Sequence, residues 1–437
     1  MNIRPATPPD PVPEPVTIER AEHGIQPRQI SANALKVIER LQGAGFQAYL
    51  VGGCIRDLLL GAQPKDFDVA TSATPEEIRQ LFRNARLIGR RFRLAHVRFG
   101  REIIEVATFR GAGDGEDDED DRVVESGRVT RDNVFGSEAE DALRRDFTIN
   151  ALMYDPATET IRDHVDGYAD VLARRLRLIG DPVTRYREDP VRLLRAVRFL
   201  VKLDLTMEPE TAGPIVAMAP LLDGIPPARL FDEILKLFMA GHAWPTYQAL
   251  VRQALWPELF PGLFADPASP PKLVENALKS TDKRVVEGLP VTPGFLFAAF
   301  LWQRVRAAAE ALVDQGLPPV DALAAAGEEA IVAQARKVAL HRRFSTIAKE
   351  IWCMQPRFHK RRGQRALRLI NERRFRAAYD FLLLRVDEEP ELAELAQWWT
   401  DVQIVDSEDQ VKMAQTATPG GGKRRRRPRR RKPASTQ

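Results

Sequence analysis

Cysteine and long apolar runs are both scarce in this chain of 437 residues, and each absence excludes a class of protein. The two cysteines, Cys54 and Cys353, are too few and too far apart to predict a disulfide framework or a cysteine-based metal site. No apolar run of roughly eighteen residues occurs, and the N-terminal segment lacks the apolar core of a signal peptide. We therefore expect a cytoplasmic protein without a transmembrane segment.

Histidine is the third scarce residue type. The six histidines include no H-x₃-H pair and no His-Asp dipeptide. These two patterns are typical of zinc sites and of HD-type phosphohydrolases, so we expect neither in this chain.

The abundant features are apolar residues, at 44%, and charged residues, at 29%, which together indicate a globular protein of about two or three domains. Positive charge is concentrated in KRRRRPRRRK, residues 423–432, which contains nine basic residues. Removing these nine from the formal net charge of +4 leaves about −5, so the rest of the chain is mildly acidic. We expect a disordered polybasic tail at 406–437 and a disordered, proline-rich N-terminus at 1–28.

The most informative stretch is YLVGGCIRDLLLGAQPKDFDVAT, residues 49–71. Its pattern predicts an apolar strand, a glycine pair, a short helix, a turn and a second strand that carries Asp66 and Asp68. Alternate strand residues share a face, so these two carboxylates should lie side by side. They would repel each other unless a divalent cation lies between them, and oxygen ligands suit Mg²⁺. The alternative is the solvated face of an edge strand.

The glycine pair before the two aspartates favours a site over a solvated edge. Gly52 and Gly53 allow the backbone to approach a ligand closely, and their N–H groups precede a helix, where phosphate binds readily. Arg56, one turn into that helix, could add a charge-assisted contact to the same phosphate.

These motifs together resemble the class II nucleotidyltransferases of the polymerase-β-like superfamily, which comprise tRNA CCA-adding enzymes and bacterial poly(A) polymerases. The resemblance rests on LVGGxxRDxLLG followed by D-x-D and covers roughly residues 30–400. It implies that the glycine motif and the D-x-D pair, Asp66 and Asp68, bind an incoming triphosphate and two Mg²⁺ ions.

The resemblance also extends to residues beyond this stretch. Glu105, in an apolar strand that returns from a turn near Gly100, is either a cross-strand partner for an arginine or a third metal ligand, and the resemblance favours the ligand. Arg145 and Asp146 in RRDFTINAL could form an ordinary surface ion pair. In the family this segment faces the nucleotide, which implies contacts to sugar and phosphates and a catalytic part for Asp146.

The segment REDPVRLLRAVRFLVKL predicts a helix that starts near residue 190, with Arg192, Arg195 and Arg198 on one side and apolar residues on the other. A charged, solvated helix face would explain the pattern. The resemblance instead implies that EDxxRxxRA binds the nucleotide and lines the wall that reads its base, with Asp189 and Arg192 offering hydrogen-bond acceptors and donors. The acidic run at 114–121 lacks calcium-loop spacing and is expected to be a mobile, self-repelling loop.

The predicted fold class is α+β: an N-terminal polymerase-β-like nucleotidyltransferase head with a small mixed sheet, then all-α neck and body domains. The helical patterns after residue 209 contain no recognisable repeat. The expected divisions are a disordered N-terminus at 1–28, the head at 29–168, a nucleotide- and RNA-binding neck at 169–240, an RNA-binding body at 241–405 and the tail at 406–437.

Within the family, LIGRRFRLAHV at 87–97 and the polybasic tail resemble the poly(A) polymerase branch. This implies template-independent transfer of AMP from ATP to RNA 3′ ends. The expected RNAs are mRNA and small RNAs, with tRNA as a further candidate, and RNA-decay proteins are expected as further partners. The alternative within the family is a CCA-adding tRNA nucleotidyltransferase. The alternative of another class is a non-catalytic RNA-binding protein on a decayed polymerase fold, which the presence of both Asp66 and Asp68 disfavours.

Overall fold

The computed structural model describes residues 14–89, 93–111 and 135–417, together with the backbone of 122–125 and 128–132. The predicted acidic loop at 114–121, part of the 87–97 motif and the polybasic segment 423–432 lie outside the described residues. The chain divides into two compact units, Met1–Ile225 with Pro245–Glu258 and Pro226–Trp244 with Leu259–Gln437.

The first unit is built on a mixed sheet of eight strands, in the order β1-β10-β9-β2-β3-β6-β5-β4. Two further strand pairs, β7 with β8 and β11 with β12, lie outside this sheet. The strands are β1 Val16–Ile18, β2 Ala48–Val51, β3 Asp68–Thr71, β4 Ala85–Ile88, β5 Leu94–Phe99, β6 Glu102–Thr108, β7 Arg122–Glu125, β8 Arg128–Asp132, β9 Met153–Asp155, β10 Thr160–Asp163, β11 Arg175–Leu176 and β12 Thr206–Met207.

Helices make up most of the remaining described chain. Up to residue 225 they are α1 Arg20–His23, α2 Ala32–Gly43, α3 Gly53–Leu59, α4 Pro75–Leu81, α5 Glu138–Arg144, α6 Gly167–Leu172, α7 Pro182–Glu188, α8 Val191–Lys202, α9 Pro209–Ala212 and α10 Ile215–Met218. Beyond it they are α11 Pro227–Phe238, α12 Ala243–Arg252, α13 Trp256–Leu259, α14 Lys272–Val286, α15 Pro293–Asp314, α16 Pro319–Ala335, α17 Arg342–Phe358, α18 Gln364–Ile370, α19 Phe375–Arg385, α20 Ala393–Ile404 and α21 Ser407–Thr416. Short 3₁₀ helices occur at Pro27–Gln29, Thr148–Asn150, Ala219–Gly224 and Pro390–Leu392.

The centre of the sheet is the β2–β3 pair, which forms as the sequence predicts except at one residue. All four residues of β2 are buried, and in the antiparallel register Val51 lies opposite Asp68. The predicted second strand begins at Asp68, so Asp66 precedes the strand instead of lying on it. Phe67 and Val69 are buried as expected, and each buried large apolar side chain contributes roughly 1.5–3 kcal/mol to folding.

Helix starts in the first unit follow local capping signals. The predicted cap Thr74 accepts a hydrogen bond from the N–H of Glu77, whose carboxylate accepts from the N–H of Thr74 in return. Ser137 and Glu140 form the same reciprocal pair at the start of α5. Because these boxes satisfy backbone donors that the helix itself leaves free, α4 and α5 begin at defined residues.

The second unit is a helical assembly around an aromatic core. Phe231 packs against Phe297 and Phe344 with ring centroids about 6 Å apart, and Trp352 donates its indole N–H to the carbonyl of Ala298. Gly327 lets α16 approach this core, since a Cβ there would lie 2.8 Å from the Trp352 ring. None of the described helices is both long enough and apolar enough to cross a membrane.

Two expectations about the termini are wrong where the structure describes them. Residues expected to be disordered form β1, which pairs with β10, and α1, in which His23 is buried. At the other end α21 is helical, with Asp406 as its N-cap, although disorder was expected from residue 406. In both cases tertiary pairing or capping stabilises segments whose composition is polar or rich in proline.

A buried carboxylate joins three elements next to the sheet. Asp170 on α6 is fully buried and accepts hydrogen bonds from Thr148 Oγ1 at 2.7 Å, Arg175 Nε at 2.6 Å and Arg177 Nε at 2.7 Å. The charge of this carboxylate is tolerated because both guanidinium groups compensate for it.

Replacing Asp170 with Asn should therefore lower the free energy of unfolding by roughly 2–4 kcal/mol, because one oxygen becomes a donor that faces a guanidinium group. Asp166→Asn is the matched control, since Asp166 is exposed and lies 3.9 Å from Arg177. Its effect should stay within about 0.5 kcal/mol. Denaturant unfolding measures both, and equal losses in the two variants would contradict this account of the network.

Candidate active site

The glycine pair forms the turn between β2 and α3, as predicted. Gly52 is the N-cap of α3 with φ 77° and ψ −136°, a conformation that favours glycine. A Cβ on Gly52 would lie 3.2 Å from Nη1 of Arg145, and a Cβ on Gly53 would lie 3.1 Å from Nη2 of Arg56. Both glycines therefore admit an arginine side chain close to the backbone.

Three carboxylates lie beside this turn, at two central strands of the sheet. The parallel pairing of β3 and β6 places Asp68 opposite Glu105, and Asp66 lies two residues before β3. The cross-strand partner of Glu105 on β5 is His96, whose Nε2 lies 3.5 Å from the carboxylate. Glu105 thus has a histidine neighbour instead of the arginine considered as one alternative, and its part as a metal ligand stays a prediction.

The electrostatics of Asp68 reflect this crowding. Desolvation of its carboxyl group, together with the negative charges of Glu105 and Asp66, raises the pKa of Asp68 from 3.8 to about 6. The positive charge of Arg145 offsets part of that shift. At Asp68 the effects of burial and of the neighbouring carboxylates therefore outweigh the favourable effect of Arg145.

This donor set fits Mg²⁺ by its chemistry, because carboxylate oxygens are the ligands that the ion prefers and a cation would relieve the repulsion around Asp68. Within the part of the chain that the structure describes, no three His, Cys, Asp or Glu side chains converge closely enough to form a metal shell. The residues that fit the ion are therefore near one another, but they do not surround a single point.

Arg145 lies over the glycine turn, held from two sides. Its Nε and Nη2 donate to Asp141 Oδ2 at 3.1 and 2.9 Å, and its Nη1 donates to the carbonyl of Asn150 at 3.2 Å. The structure thus brings the predicted Arg145 together with Gly52 and Asp68.

Asp146 is committed to another predicted residue, Arg195 of α8. Its Oδ2 accepts from Arg195 Nε at 2.6 Å, and its Oδ1 accepts from the N–H of Phe147 and from Nδ2 of Asn150. Burial alone would raise the pKa of Asp146, but Arg195 and these hydrogen bonds outweigh it and lower the pKa to about 2. Asp146 is therefore ionised, with both carboxylate oxygens engaged inside the protein.

Arg56 is buried, which the sequence pattern did not predict. It donates to Asp57 Oδ1 from Nε at 2.9 Å and to Asn150 Oδ1 from Nη1, and its guanidinium lies 5.2 Å from the ring centroid of Phe199. The guanidinium of Arg56 is therefore held by other protein groups. This geometry favours a positioning role for Arg56 over the direct phosphate contact that was expected.

The last predicted pair, Asp189 and Arg192, lies at the junction of α7 and α8. Asp189 accepts from the N–H of Val191 at 3.2 Å, and Arg192 Nη1 donates to Glu188 Oε2 at 3.0 Å and to the carbonyl of Arg185 at 2.7 Å. As predicted, the arginines of α8 are partly exposed, while Leu193, Leu194 and Val197 are buried.

Sequence reasoning missed Asn150 and Phe199, which contact several of the predicted residues. Asn150 lies within RRDFTINAL, where an amide between apolar residues was the only available signal. Nothing in the sequence pattern singled out Phe199 or indicated that three guanidinium groups pack around it, those of Arg56, Arg195 and Arg198.

Comparison with known proteins places this geometry in a family. Residues 48–177 match a family model described as Poly A polymerase head domain. Residues 204–266 match a model described as probable RNA and SrmB-binding site of polymerase A. Residues 315–433 match a model described as polymerase A arginine-rich C-terminus. Poly(A) polymerase I of Haemophilus influenzae is 48% identical over 407 residues, which cover 91% of this chain and 90% of that protein. The chain belongs to the poly(A) polymerase I family.

As a member of the poly(A) polymerase I family, the chain is a nucleotidyltransferase, and the predicted resemblance and fold class are confirmed. A CCA-adding enzyme of Streptococcus suis is 38% identical over 207 residues, which cover 47% of this chain and 49% of that protein. A solved structure, Bacillus stearothermophilus CCA-adding enzyme in complex with CTP, aligns with a TM-score of 0.58 at 25% identity over 89% of this chain and 88% of that chain.

The close approach of Arg145 to Gly52 gives the first prediction for this site. Gly52→Ala should destabilise the fold by roughly 1–2 kcal/mol, because of its positive φ, and should also displace Arg145 and lower nucleotide transfer. The control is Gly61→Ala, where φ is 75° and nothing lies within 4 Å of the added Cβ. Gly61→Ala should lose comparable stability yet keep its transfer rate, and equal transfer by both variants would contradict the role of the turn.

The raised pKa of Asp68 gives the second prediction. A carboxyl group whose pKa rises on folding stabilises the protein when protonated, and this stabilisation is lost as pH rises from about 4 through about 6. Without divalent ions, Asp68→Asn should therefore unfold at a higher temperature than the wild type at pH 8, whereas nucleotide transfer should be lost.

Melting curves of both proteins between pH 4 and 8 test this expectation, and the low-pH pair serves as the internal control. The difference in melting temperature should be small at pH 4 and should increase as pH rises. A difference that is constant with pH, or a variant less stable at pH 8, would show that folding does not raise the pKa of Asp68.

Proposed function

We propose that this protein adds AMP residues from ATP to RNA 3′-hydroxyl groups without a template and releases pyrophosphate. The observation that carries the proposal is the similarity to poly(A) polymerase I over 91% of the chain, against 47% for the CCA-adding relative. The carboxylate cluster beside the glycine turn supports it, since the residues for nucleotidyl transfer are present.

In this proposal the triphosphate lies against the glycine turn. Backbone N–H groups at Gly52 and Gly53 face its phosphates, and Arg145, fixed by Asp141, supplies positive charge. Asp66 and Asp68, with Glu105 as the third candidate, would hold Mg²⁺. The ions, two in our proposal, would supply charge neutralisation for the reacting phosphate and acidify the RNA hydroxyl.

The reaction follows from this placement. The RNA 3′-hydroxyl gives up its proton to solvent, and its oxygen attacks the α-phosphate of ATP. An O–P bond forms, the bond to the β-phosphate breaks, and pyrophosphate leaves with the electron pair. The protein mainly positions the reactants and stabilises charge, as in other phosphoryl transfers. Asp146 was expected as a catalytic residue and Arg195 as a nucleotide contact. In our proposal they instead hold other groups in position, because the carboxylate of Asp146 and the guanidinium of Arg195 bond to each other.

Base choice is assigned to the start of α8. Asp189 and Arg192 are partly buried and lie at a helix junction where Glu188 and a backbone carbonyl orient the Arg192 guanidinium. An oriented donor beside an acceptor can distinguish the hydrogen-bonding edge of adenine from those of other bases, as amide and guanidinium groups do in nucleic-acid recognition.

RNA is assigned to the basic surfaces of the second unit and to the polybasic segment beyond it. Around α18 several exposed cations have no acidic partner among the described residues, and such groups neutralise phosphates at low desolvation cost. They are Lys360, Arg362, Arg365, Arg368 and Arg373. The polybasic segment 423–432 would add further contacts and a tether for successive additions.

Product analysis tests the function. The protein is incubated with Mg²⁺, each NTP separately, and either a labelled oligo(A) or a tRNA transcript that lacks its CCA end. A long ladder with ATP, and little extension with CTP, is the expected result. Addition limited to two C and one A on the tRNA would overturn the proposal in favour of the CCA-adding alternative. No extension of either RNA would favour the non-catalytic alternative.

A further inference from the structure

One buried amide contacts three residues of the candidate site. Asn150 is 7% exposed and ends the 3₁₀ helix Thr148–Asn150. Its Oδ1 accepts from Arg56, its Nδ2 donates to Asp146 Oδ1 at 3.1 Å, and its main-chain carbonyl accepts from Arg145 Nη1 at 3.2 Å. It therefore links α3, behind the glycine turn, to the segment that carries Arg145 and Asp146.

The contacts continue from Asp146 to α8 and return to Arg56. Asp146 Oδ2 accepts from Arg195 Nε at 2.6 Å, and the guanidinium of Arg195 lies 5.4 Å from the ring centroid of Phe199. The guanidinium of Arg56 lies 5.2 Å from the same ring. The chain of contacts Arg56–Asn150–Asp146–Arg195 is thus closed by a single aromatic ring, and it joins the glycine turn to α8.

Asparagine is suited to this position by its polarity. Arg56 offers only donors and ionised Asp146 only acceptors, so the bridging group must accept on one side and donate on the other. A carboxylate at position 150 would face Asp146 with like charge. An apolar side chain would remove the acceptor for Arg56 Nη1 and would leave Asp146 Oδ1 with only the N–H of Phe147. The amide orientation in the structure satisfies both neighbours.

We propose that Asn150 is a positioning residue for the nucleotide: it holds Arg56 and the Asp146–Arg195 pair at a fixed spacing, so that the triphosphate at the glycine turn and the base at α8 are aligned. This inference rests on the proposed function, because it assigns the two ends of one nucleotide to α3 and α8. Asn150 itself contacts protein groups and acts through them. The competing explanation is that the amide only stabilises the fold.

The test compares Asn150→Leu and Asn150→Asp with Thr148→Val as the matched control. Leucine has a similar size without polar atoms, and aspartate keeps the acceptor for Arg56 while it repels Asp146. Thr148 is buried on the same 3₁₀ helix, but its hydroxyl bonds to Asp170, so Thr148→Val removes a buried hydrogen bond outside the bridge. Each full-length protein is measured for melting temperature, for binding of ATP by equilibrium dialysis without RNA, and for the KM values of ATP and RNA.

Loss of charge-assisted hydrogen bonds should raise the Kd and the KM for ATP by about tenfold in both Asn150 variants, with the KM for RNA unchanged. Thr148→Val should lower the melting temperature by a similar amount. It should leave the Kd for ATP within about twofold of the wild-type value, because its hydroxyl lies outside the bridge and independent sites do not affect one another. An unchanged Kd for ATP in folded Asn150→Asp, or an equal rise in Thr148→Val, would overturn the inference. A wild-type protein that binds no ATP would instead refute the proposed function.

Discussion

The register of one parallel strand pair determines the rest of the site. Because β3 and β6 run parallel with Asp68 opposite Glu105, two carboxylates lie side by side on central strands of the sheet, with Asp66 just before β3. Desolvation of the carboxyl group, together with the negative charges of Glu105 and Asp66, raises the pKa of Asp68 to about 6, and the like charges repel one another. Such repulsion is retained where a bound cation compensates for it, which is the usual condition of a phosphoryl-transfer site.

Arginine–carboxylate pairs build the frame around these three carboxylates. Arg145 is fixed by Asp141, Arg56 by Asp57 and Arg195 by Asp146, so each guanidinium is oriented before any ligand arrives. Bidentate or multiply bonded guanidinium groups lose little freedom when a phosphate binds, which makes preorganisation effective. The consequence is a division of roles: Arg145 lies beside the glycine turn, whereas the other two connect the turn to α8.

The sequence predicted those parts of the site that depend on local pattern. The strand, glycine turn and helix around Gly52 follow from apolar runs and glycine spacing, and the amphipathic α8 follows from the spacing of Arg192, Arg195 and Arg198. The buried state of Arg56 could not be predicted, because its partner Asn150 is 94 residues away. The ordered β1 escaped prediction for the same reason, since its partner β10 lies far along the chain and composition near the N-terminus indicates only disorder.

We propose that the carboxylates Asp66, Asp68 and Glu105 bind the divalent cations that accompany the nucleotide. The most direct measurement is Mn²⁺ binding, followed by electron paramagnetic resonance, in the presence of a non-hydrolysable ATP analogue. The control is Glu102→Gln, since Glu102 bonds to Ser31 and Asn33 away from the cluster. We expect protein-dependent Mn²⁺ binding in the wild type and in Glu102→Gln, and its loss in Asp68→Asn. Equal Mn²⁺ binding by wild type and Asp68→Asn would contradict this proposal.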